Sequence, residues 1–305
     1  MIRESHQRAV AVGIVVVHYG DPVLTAGCLA SIEADSSRVE RRVVVVDNTG
    51  NLEPGLLGDG VLLVRRKDNP GFGSAANEGL AALDPNQACS AWLVLNNDAA
   101  LRSGFLDAVV DALEDGVGAA GGPIRDAADP HTLWYAGGGL NPLTGTVWQR
   151  RSEGAARSRR EVGFIPATAL AVAPSAFVDV GGFDPAFFLY NEDVDLCLRL
   201  RRAGWRLRFE PEMVCDHRLG SATGSDARSP LYLENITRTR LLPFRPRAYR
   251  LYLAAVHTAH SALRILGLTV RHGAHSRPYV GAVIRGHWWA LTNCFTSHSS
   301  PKPPS

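Results

Sequence analysis

The chain has 305 residues, 46% of them hydrophobic, and a net charge of +2. That is enough apolar material for a large core, as one α/β domain or one domain with an appendage, and it excludes disorder except at the ends. Five scattered cysteines without a CxxC spacing suit neither a disulfide framework nor a zinc site, and read as reduced core thiols of a cytosolic protein.

Arg3, Glu4 and Arg8 precede the apolar run Val10 to Val17, superficially like a secretory signal. No small-residue cleavage site follows, and the run enters His18-Tyr19-Gly20-Asp21-Pro22, so it reads as a first strand and turn. Val12 to Val17 is expected as a strand, Thr25 to Ala34 as a helix, and Val43 to Val46 and Val61 to Val64 as strands. Ser74 to Ala82 is expected as a helix opened by Gly71-Phe72-Gly73, Trp92 to Leu95 as a strand and Gly104 to Leu113 as a helix. This βα alternation predicts a parallel, doubly wound sheet. From Gly121 to Arg160 the chain is less regular and reads as hairpins or a loop over a site, with Arg150 to Arg160 polar enough to be mobile. Phe164 to Ala173 resumes as a strand and Ser175 to Val180 as a short helix, and the proline-rich residues 299–305 form a disordered end.

Charge is unevenly distributed. From Ile236 to Ser305 there are nine arginines, Lys302 and no acid, whereas the first 235 residues carry 22 basic against 30 acidic side chains. A basic stretch interleaved with Tyr249, Tyr252, Trp288 and Trp289 reads as a membrane-surface element or a site for an anionic partner, and equally as a tail packed on the domain before it. Leu251 to Leu268 is interrupted by His257, His260 and Arg264 and is therefore not expected to span a membrane. No nucleic-acid module is visible, so nucleic acid is not an expected partner.

Two acidic clusters carry the chemistry. Trp92-Leu93-Val94-Leu95-Asn96-Asn97-Asp98 is an apolar run ending abruptly in polar residues, as a buried parallel strand does where it delivers side chains to the ligand edge of a sheet. Asp98 with its flanking amides suits magnesium or manganese bridging phosphates, and also an Asx turn. In Phe187 to Trp205, Asn191 is placed as an N-cap, Glu192, Asp193 and Asp195 fall near the first helical turn, and basic residues and Gly204 close the helix. The acids suit the helix dipole, but they also follow Phe183, Phe187, Phe188, Leu189 and Tyr190, a setting dry enough to raise a carboxyl toward a useful base. His18 and Tyr19 end the first strand, and Asp47 and Asn48 the second, on the same expected edge. Gly71 to Gly73 lacks a dinucleotide fingerprint and serves either an approach to phosphate or an ordinary turn.

Together these segments resemble the family 2 glycosyltransferases of the GT-A fold, within a rhamnosyltransferase-like branch. The likeness spans about Val12 to Gly224 and rests on Val12 to Tyr19, Val43 to Asn48, Asp68-Asn69-Pro70-Gly71-Phe72-Gly73 with Ala76-Asn77, and Leu95 to Asp98. It continues through Gly181-Gly182-Phe183-Asp184, Phe187 to Leu196, and His217 before Gly220-Ser221. The resemblance implies a Rossmann-like, mostly parallel sheet flanked by helices with a C-terminal helical extension. Residues 1–229 would form the catalytic domain, with the nucleotide-sugar half to about 125 and the acceptor half beyond it, and 230–298 a basic amphipathic tail.

The implied activity is inverting transfer of a sugar from a UDP- or dTDP-sugar, with dTDP-rhamnose the leading guess, to a hydroxyl of a glycan, lipid-linked or small-molecule acceptor. His18, Tyr19, Asp47, Asn69, Gly71, Phe72, Asn77 and Asn97 would contact the donor, and Asp98 and His217 would hold Mg2+ or Mn2+. Asn96 stands where many members carry Asp, which lowers the expected metal affinity. Asp193 would be the base, with Glu192 beside it on the acceptor. The implied location is cytoplasmic, peripheral on the inner membrane face. The competing reading is a non-catalytic scaffold tethered by its basic tail; a sugar-nucleotide pyrophosphorylase ranks last, for want of a basic glycine-rich loop.

Overall fold

The computed structural model describes residues 10–84, 86, 88–218, 229–244 and 247–293. The first half follows the expected alternation: β1 (Ala11–His18), α1 (Pro22–Glu33), β2 (Glu40–Asp47), β3 (Val61–Arg65), α2 (Phe72–Leu83), β4 (Ala91–Asn96), β5 (Ala99–Leu101) and α3 (Phe105–Ala112). β1 is buried along its whole length, as its unbroken apolar run requires of a strand covered on both faces. Asp21 caps α1 by accepting the Val23 N–H at 2.9 Å, and Pro22 occupies the first turn, where its missing N–H costs nothing.

Next come β6 (Val117–Gly121), β7 (Ile124–Asp126), β8 (Leu133–Tyr135), β9 (Gly138–Leu140), β10 (Val147–Gln149), α4 (Glu153–Ala156), β11 (Arg160–Glu161), β12 (Ala169–Val172) and α5 (Pro174–Asp179). The chain continues through α6 (Glu192–Arg202), β13 (Arg206–Phe209), β14 (Cys215–His217), α7 (Pro230–Thr239), α8 (Arg247–His272) and α9 (Arg277–Asn293).

The main sheet has the order β11-β13-β6-β12-β4-β1-β2-β3. β1 to β4 are mutually parallel, while β12 runs antiparallel between β4 and β6. Registers pair His18 with Asp47 and Val17 with Asn96, so the carboxyl ends of β1, β2 and β4 reach one edge together. That edge is where an open α/β sheet binds ligands. α2 lies tight on the sheet because Gly79 has no side chain: a Cβ there would meet Val15 Cγ2 at 2.4 Å. A second sheet, β5-β14-β7-β8, places β14 antiparallel to β5 and brings His217 level with Ala99.

Two expectations change. The strand expected over Phe164 to Ala173 is regular only at Ala169–Val172; Phe164 makes one bridge to Gly138, and Pro166, with no N–H to donate, interrupts the ladder. The polar stretch expected to be mobile holds α4, whose Ser152 cap and bidentate Arg125–Glu153 pair at 2.7 and 2.9 Å tie it to β7. Cys28, Cys89, Cys197 and Cys215 are buried free thiols, as read from their scatter; Cys294, Gly220, Ser221 and 299–305 lie outside the described residues.

α7 and α9 pack face to face around Leu233, Ala282 and Val283, with Leu268 of α8 completing the cluster. α8 is long and apolar enough to cross a membrane by length and composition, the one such helix among the described residues. Of the residues that interrupt its apolar run, His257 is buried and Arg264 half-buried, whereas His260 is exposed.

Candidate active site

A cavity of about 830 Å³ opens along the carboxyl edge of the main sheet. Its walls come from the ends of β1, β2 and β4, the entrance to α2, the start of α6, and the helices α7 and α8.

On the sheet side, Tyr19, Asn69, Gly71, Phe72, Asn97 and Asp98 all line the cavity. Asn97 is buried, and its amide donates to Thr25 Oγ1 at 3.1 Å and to the Tyr19 carbonyl at 3.3 Å, tying the exit of β4 to the exit of β1. The carboxylate of Asp98 lies 3.0 Å from His217 Nε2, with both side chains almost buried and Trp134 packed edge-on against the imidazole. One carboxylate oxygen and one imidazole nitrogen side by side fit a divalent cation that completes its shell with water and diphosphate oxygens. Among the described residues, no group of three or more His, Cys, Asp or Glu converges as a metal site. Such a cation would therefore depend on its substrate for further ligands.

Three residues expected at the donor stand off the cavity lining. Asp47 is fully buried and its carboxylate accepts the N–H groups of Thr49, Gly50 and Leu52 at 3.0, 2.7 and 3.1 Å, which folds the loop after β2. His18 is equally buried, bonded to Thr25 Oγ1 at 2.6 Å and Asn51 Oδ1 at 2.8 Å. Asn77 donates to the Phe183 carbonyl at 2.8 Å and accepts the Phe183 N–H at 2.9 Å, so α2 grips the loop before α6. Their neighbour Asn48 is buried and lines the cavity, with its Oδ1 free of any hydrogen bond to a described residue; the sequence places it at the ligand edge beside Asp47 without separating the two.

The turn into α2 meets the loop into α6 at one close contact. Gly71 has φ +91°, and a Cβ on it would meet the Phe188 carbonyl oxygen at 2.2 Å, while the Phe72 N–H donates to that same oxygen at 3.2 Å. Asn69, at φ +40°, accepts the Gly71 N–H through its own side chain. The loop then passes through Tyr190 and Asn191, both left-handed, at φ +68° and +66°. Two consecutive non-glycine residues there are strained, and such strain persists only where the surroundings hold it. Asn191 is at the N-cap position, as its sequence placement predicts, but its amide does not cap the helix: it donates to Thr239 Oγ1 of α7 at 2.8 Å.

The acids of α6 divide. Asp195 turns inward, fully buried, and pairs with Arg199 at 2.6 Å. Glu192 and Asp193 line the cavity. Asp193 accepts the Val194 N–H at 2.8 Å and the Ala167 N–H at 3.3 Å, whereas Glu192 Oε2 has no hydrogen-bond partner among the described residues. Burial raises both carboxyls well above the ordinary carboxylate range. Glu192 also feels the charge of Asp193, while the two N–H groups partly hold Asp193 down. The pair therefore shares one negative charge near neutrality, residing on Asp193.

Tyr232 and Ile236 of α7, Arg240 just after it, and His257, His260 and Arg264 of α8 complete the cavity. The i, i+3, i+7 spacing of the last three marks one helix face and was the available sequence signal; their place in this wall follows from how α8 docks.

An open α/β sheet of this kind, with acidic side chains gathered at its ligand edge, is the frame of the GT-A fold. The family described as "Glycosyltransferase like family 2" matches residues 9–238, and the chain belongs to that family. It is 35% identical to N-acetylglucosaminyl-diphospho-decaprenol L-rhamnosyltransferase of Mycobacterium tuberculosis over 53% of this chain, and spans about three fifths, 60%, of that relative's length. Among solved structures, it resembles GalNAc-T7 with UDP, GalNAc and Mn2+, at TM-score 0.59 and 14% identity, covering 98% of this chain and 59% of that one. It also resembles the mannosyltransferase PcManGT from Pyrobaculum calidifontis with GDP-Man and Mn2+, at TM-score 0.52 and 16% identity, over 93% and 87% of the two chains. These likenesses bear out the fold expected from the sequence.

Proposed function

We propose that the chain transfers a sugar, with inversion, from a nucleoside diphosphate sugar to an acceptor hydroxyl. The observation that carries this reading is the convergence of the Asp98–His217 pair and the Asp193–Glu192 pair on one cavity. Tyr19, Asn69, Gly71, Phe72 and Asn97 form the donor side, supported by their position at the carboxyl edge of β1 and β4 and the entrance to α2. His18, Asp47 and Asn77 act one layer back, by shaping the loops that present those residues.

Asp98 and His217 would hold a magnesium or manganese ion, whose chemistry when bound is to neutralise charge on the departing diphosphate. Asp193 takes the proton from the acceptor hydroxyl as that oxygen attacks the anomeric carbon opposite the leaving group, so a single displacement inverts the centre. Its raised proton affinity suits that step. Glu192, protonated beside it, donates a hydrogen bond to the acceptor and avoids a second buried negative charge.

The name of the 35% identical relative supports rhamnose as the sugar and a polyprenyl-diphosphate-linked glycan as the acceptor. Residues 1–229 serve as the catalytic unit, and α7 and α8 close its acceptor side. The exposed Leu251, Tyr252, Leu263, Val270 and Trp288 together with the basic tail support peripheral association with an anionic membrane on the cytoplasmic face. A protein that stays in solution with anionic vesicles at low salt would argue against that association.

A non-catalytic scaffold is disfavoured, because such a protein has no need to keep two carboxylate clusters on one cavity. The deciding experiment is release of nucleoside diphosphate from UDP-, dTDP- and GDP-sugars with magnesium or manganese and with chelator. Metal-dependent release from one donor, lost in Asp98→Ala, is expected. No release, together with no metal-dependent nucleotide binding, would reject the reading.

A further inference from the structure

The same cavity is lined by two arginines, Arg240 and Arg264, that have no carboxylate partner among the described residues. Arg240 is largely buried; it donates to His257 Nδ1 at 3.1 Å and to Thr237 Oγ1 at 3.0 Å, both neutral acceptors. Arg264, half-buried one face-repeat along α8, makes no hydrogen bond or ion pair with any described residue. Other arginines of the chain behave differently: Arg102, Arg125, Arg199 and Arg285 each hold a carboxylate at 2.6 to 2.7 Å.

Because a guanidinium can only donate, His257 Nδ1 accepts from Arg240 and the ring proton sits on Nε2. That nitrogen is buried and has no acceptor among the described residues. Burial and the neighbouring cations push His257 down to about 3 and also lower His260, so both rings are neutral donors at physiological pH. Arg240 is pushed down to about 10, first by burial and then by the charge of Arg264, and remains charged. Two guanidiniums and two imidazoles line one cavity, with no acid anywhere from Ile236 onward, which leaves a surplus of positive charge and N–H donors there.

We propose that Arg240, Arg264, His257 and His260 form a second anion subsite, separate from Asp98 and His217, that holds the phosphate or diphosphate of the acceptor. This deepens the glycosyltransferase reading and rests on it for the word acceptor. Glu192 and Asp193 line the same cavity as these four residues, which suits an acceptor hydroxyl presented to the base while its phosphate is gripped by the cations. Leu231, Tyr232 and Ile236 line the same cavity as the cations, and Leu263, Leu266 and Val270 are exposed on another face of α8. The apolar lining from α7 favours a phosphate ester of a long apolar alcohol over a free phosphate.

The test is calorimetric titration of the full chain with farnesyl diphosphate, inorganic pyrophosphate and farnesol, in chelator, for wild type, Arg264→Gln and Arg240→Gln/Arg264→Gln. Nucleoside diphosphate binding with magnesium is measured on the same samples. Wild type is expected to bind farnesyl diphosphate tightest, with an affinity that falls about tenfold or more in the double variant, the scale of losing charge-assisted hydrogen bonds. Nucleotide binding should be unchanged. Arg264→Gln, at a half-exposed position, keeps the comparison open if the double variant folds poorly.

Farnesyl diphosphate binding that is absent in wild type or indifferent to both variants would overturn the subsite. A parallel loss of nucleotide binding would assign the cations to the donor and also overturn it. Equal affinity for pyrophosphate and farnesyl diphosphate would reject the apolar ester as the source of the anion. Because no turnover is read, failure of the proposed transfer reaction leaves this result independent.

Discussion

Asp98 and His217 meet at 3.0 Å although one leaves a strand of the main sheet and the other ends a strand of the second sheet. The pairing exists because β14 lies antiparallel to β5, which begins immediately after Asp98. Removing either partner should therefore act on the same function. Asp98→Ala is expected to lower nucleoside diphosphate release by about 100-fold or more, and His217→Ala by a smaller factor, as for loss of one electrostatic contact to a developing charge. Metal titrations of nucleotide binding check this; two variants with unaltered metal dependence would refute the pair as the cation site.

Asp193 and Glu192 are expected to separate by role. Asp193→Asn should reduce turnover by about 10²- to 10⁴-fold, the usual contribution of a positioned base, while leaving metal-dependent nucleotide binding near wild type. Turnover that survives in Asp193→Asn would remove it as the base.

The same pair predicts a pH dependence of stability. Both folded-state carboxyls are raised above their unfolded values, so between those values the folded chain binds more protons than the unfolded chain. Stability is then held below the ordinary carboxylate range and falls as pH rises through the raised values. Glu192→Gln should flatten that fall, leaving the variant relatively more stable by a few degrees in Tm at neutral pH, about 2–4 °C for each kcal/mol at this size. Melting curves of wild type and Glu192→Gln that run parallel from about pH 5 to about pH 8 would contradict the shared-charge description.

Gly71 is the point where the donor-side turn touches the loop carrying the acids. Gly71→Ala combines a positive φ with a Cβ placed 2.2 Å from the Phe188 carbonyl oxygen, so the loop must move. A loss of about 1–3 kcal/mol is expected, the cost of one strained backbone site, together with lower turnover because Glu192 and Asp193 follow that loop. Unchanged Tm and unchanged turnover in this variant would show the contact to be unimportant.

Asn77→Ala should behave as a packing defect. It leaves both backbone groups of Phe183 without their partner, at about 1–3 kcal/mol for each buried group left unsatisfied. Its Tm should fall while nucleotide affinity at saturating metal stays close to wild type. A selective loss of nucleotide affinity without a drop in Tm would restore Asn77 as a direct donor contact.

Much of this protein was legible in its sequence because the signals are local. The buried parallel strands follow from unbroken valine-rich runs, the helix starts from Asp21-Pro22 and Gly71, and the ligand edge from apolar runs ending in His18-Tyr19, Asp47-Asn48 and Asn97-Asp98. Which polar residue at that edge faces the cavity was not a local matter. Asp47 and His18 share the edge with Asn97 and Asp98, yet their side chains are consumed by the loop after β2 and by Thr25, a choice made by three-dimensional hydrogen-bond satisfaction. Asn191 likewise occupies its cap position, but the docking of α7 diverts its amide to Thr239. The basic tail was visible as composition, whereas only the packing of α7, α8 and α9 turned Arg240, His257, His260 and Arg264 into a wall of the cavity, because periodicity marks a helix face without naming what that face meets.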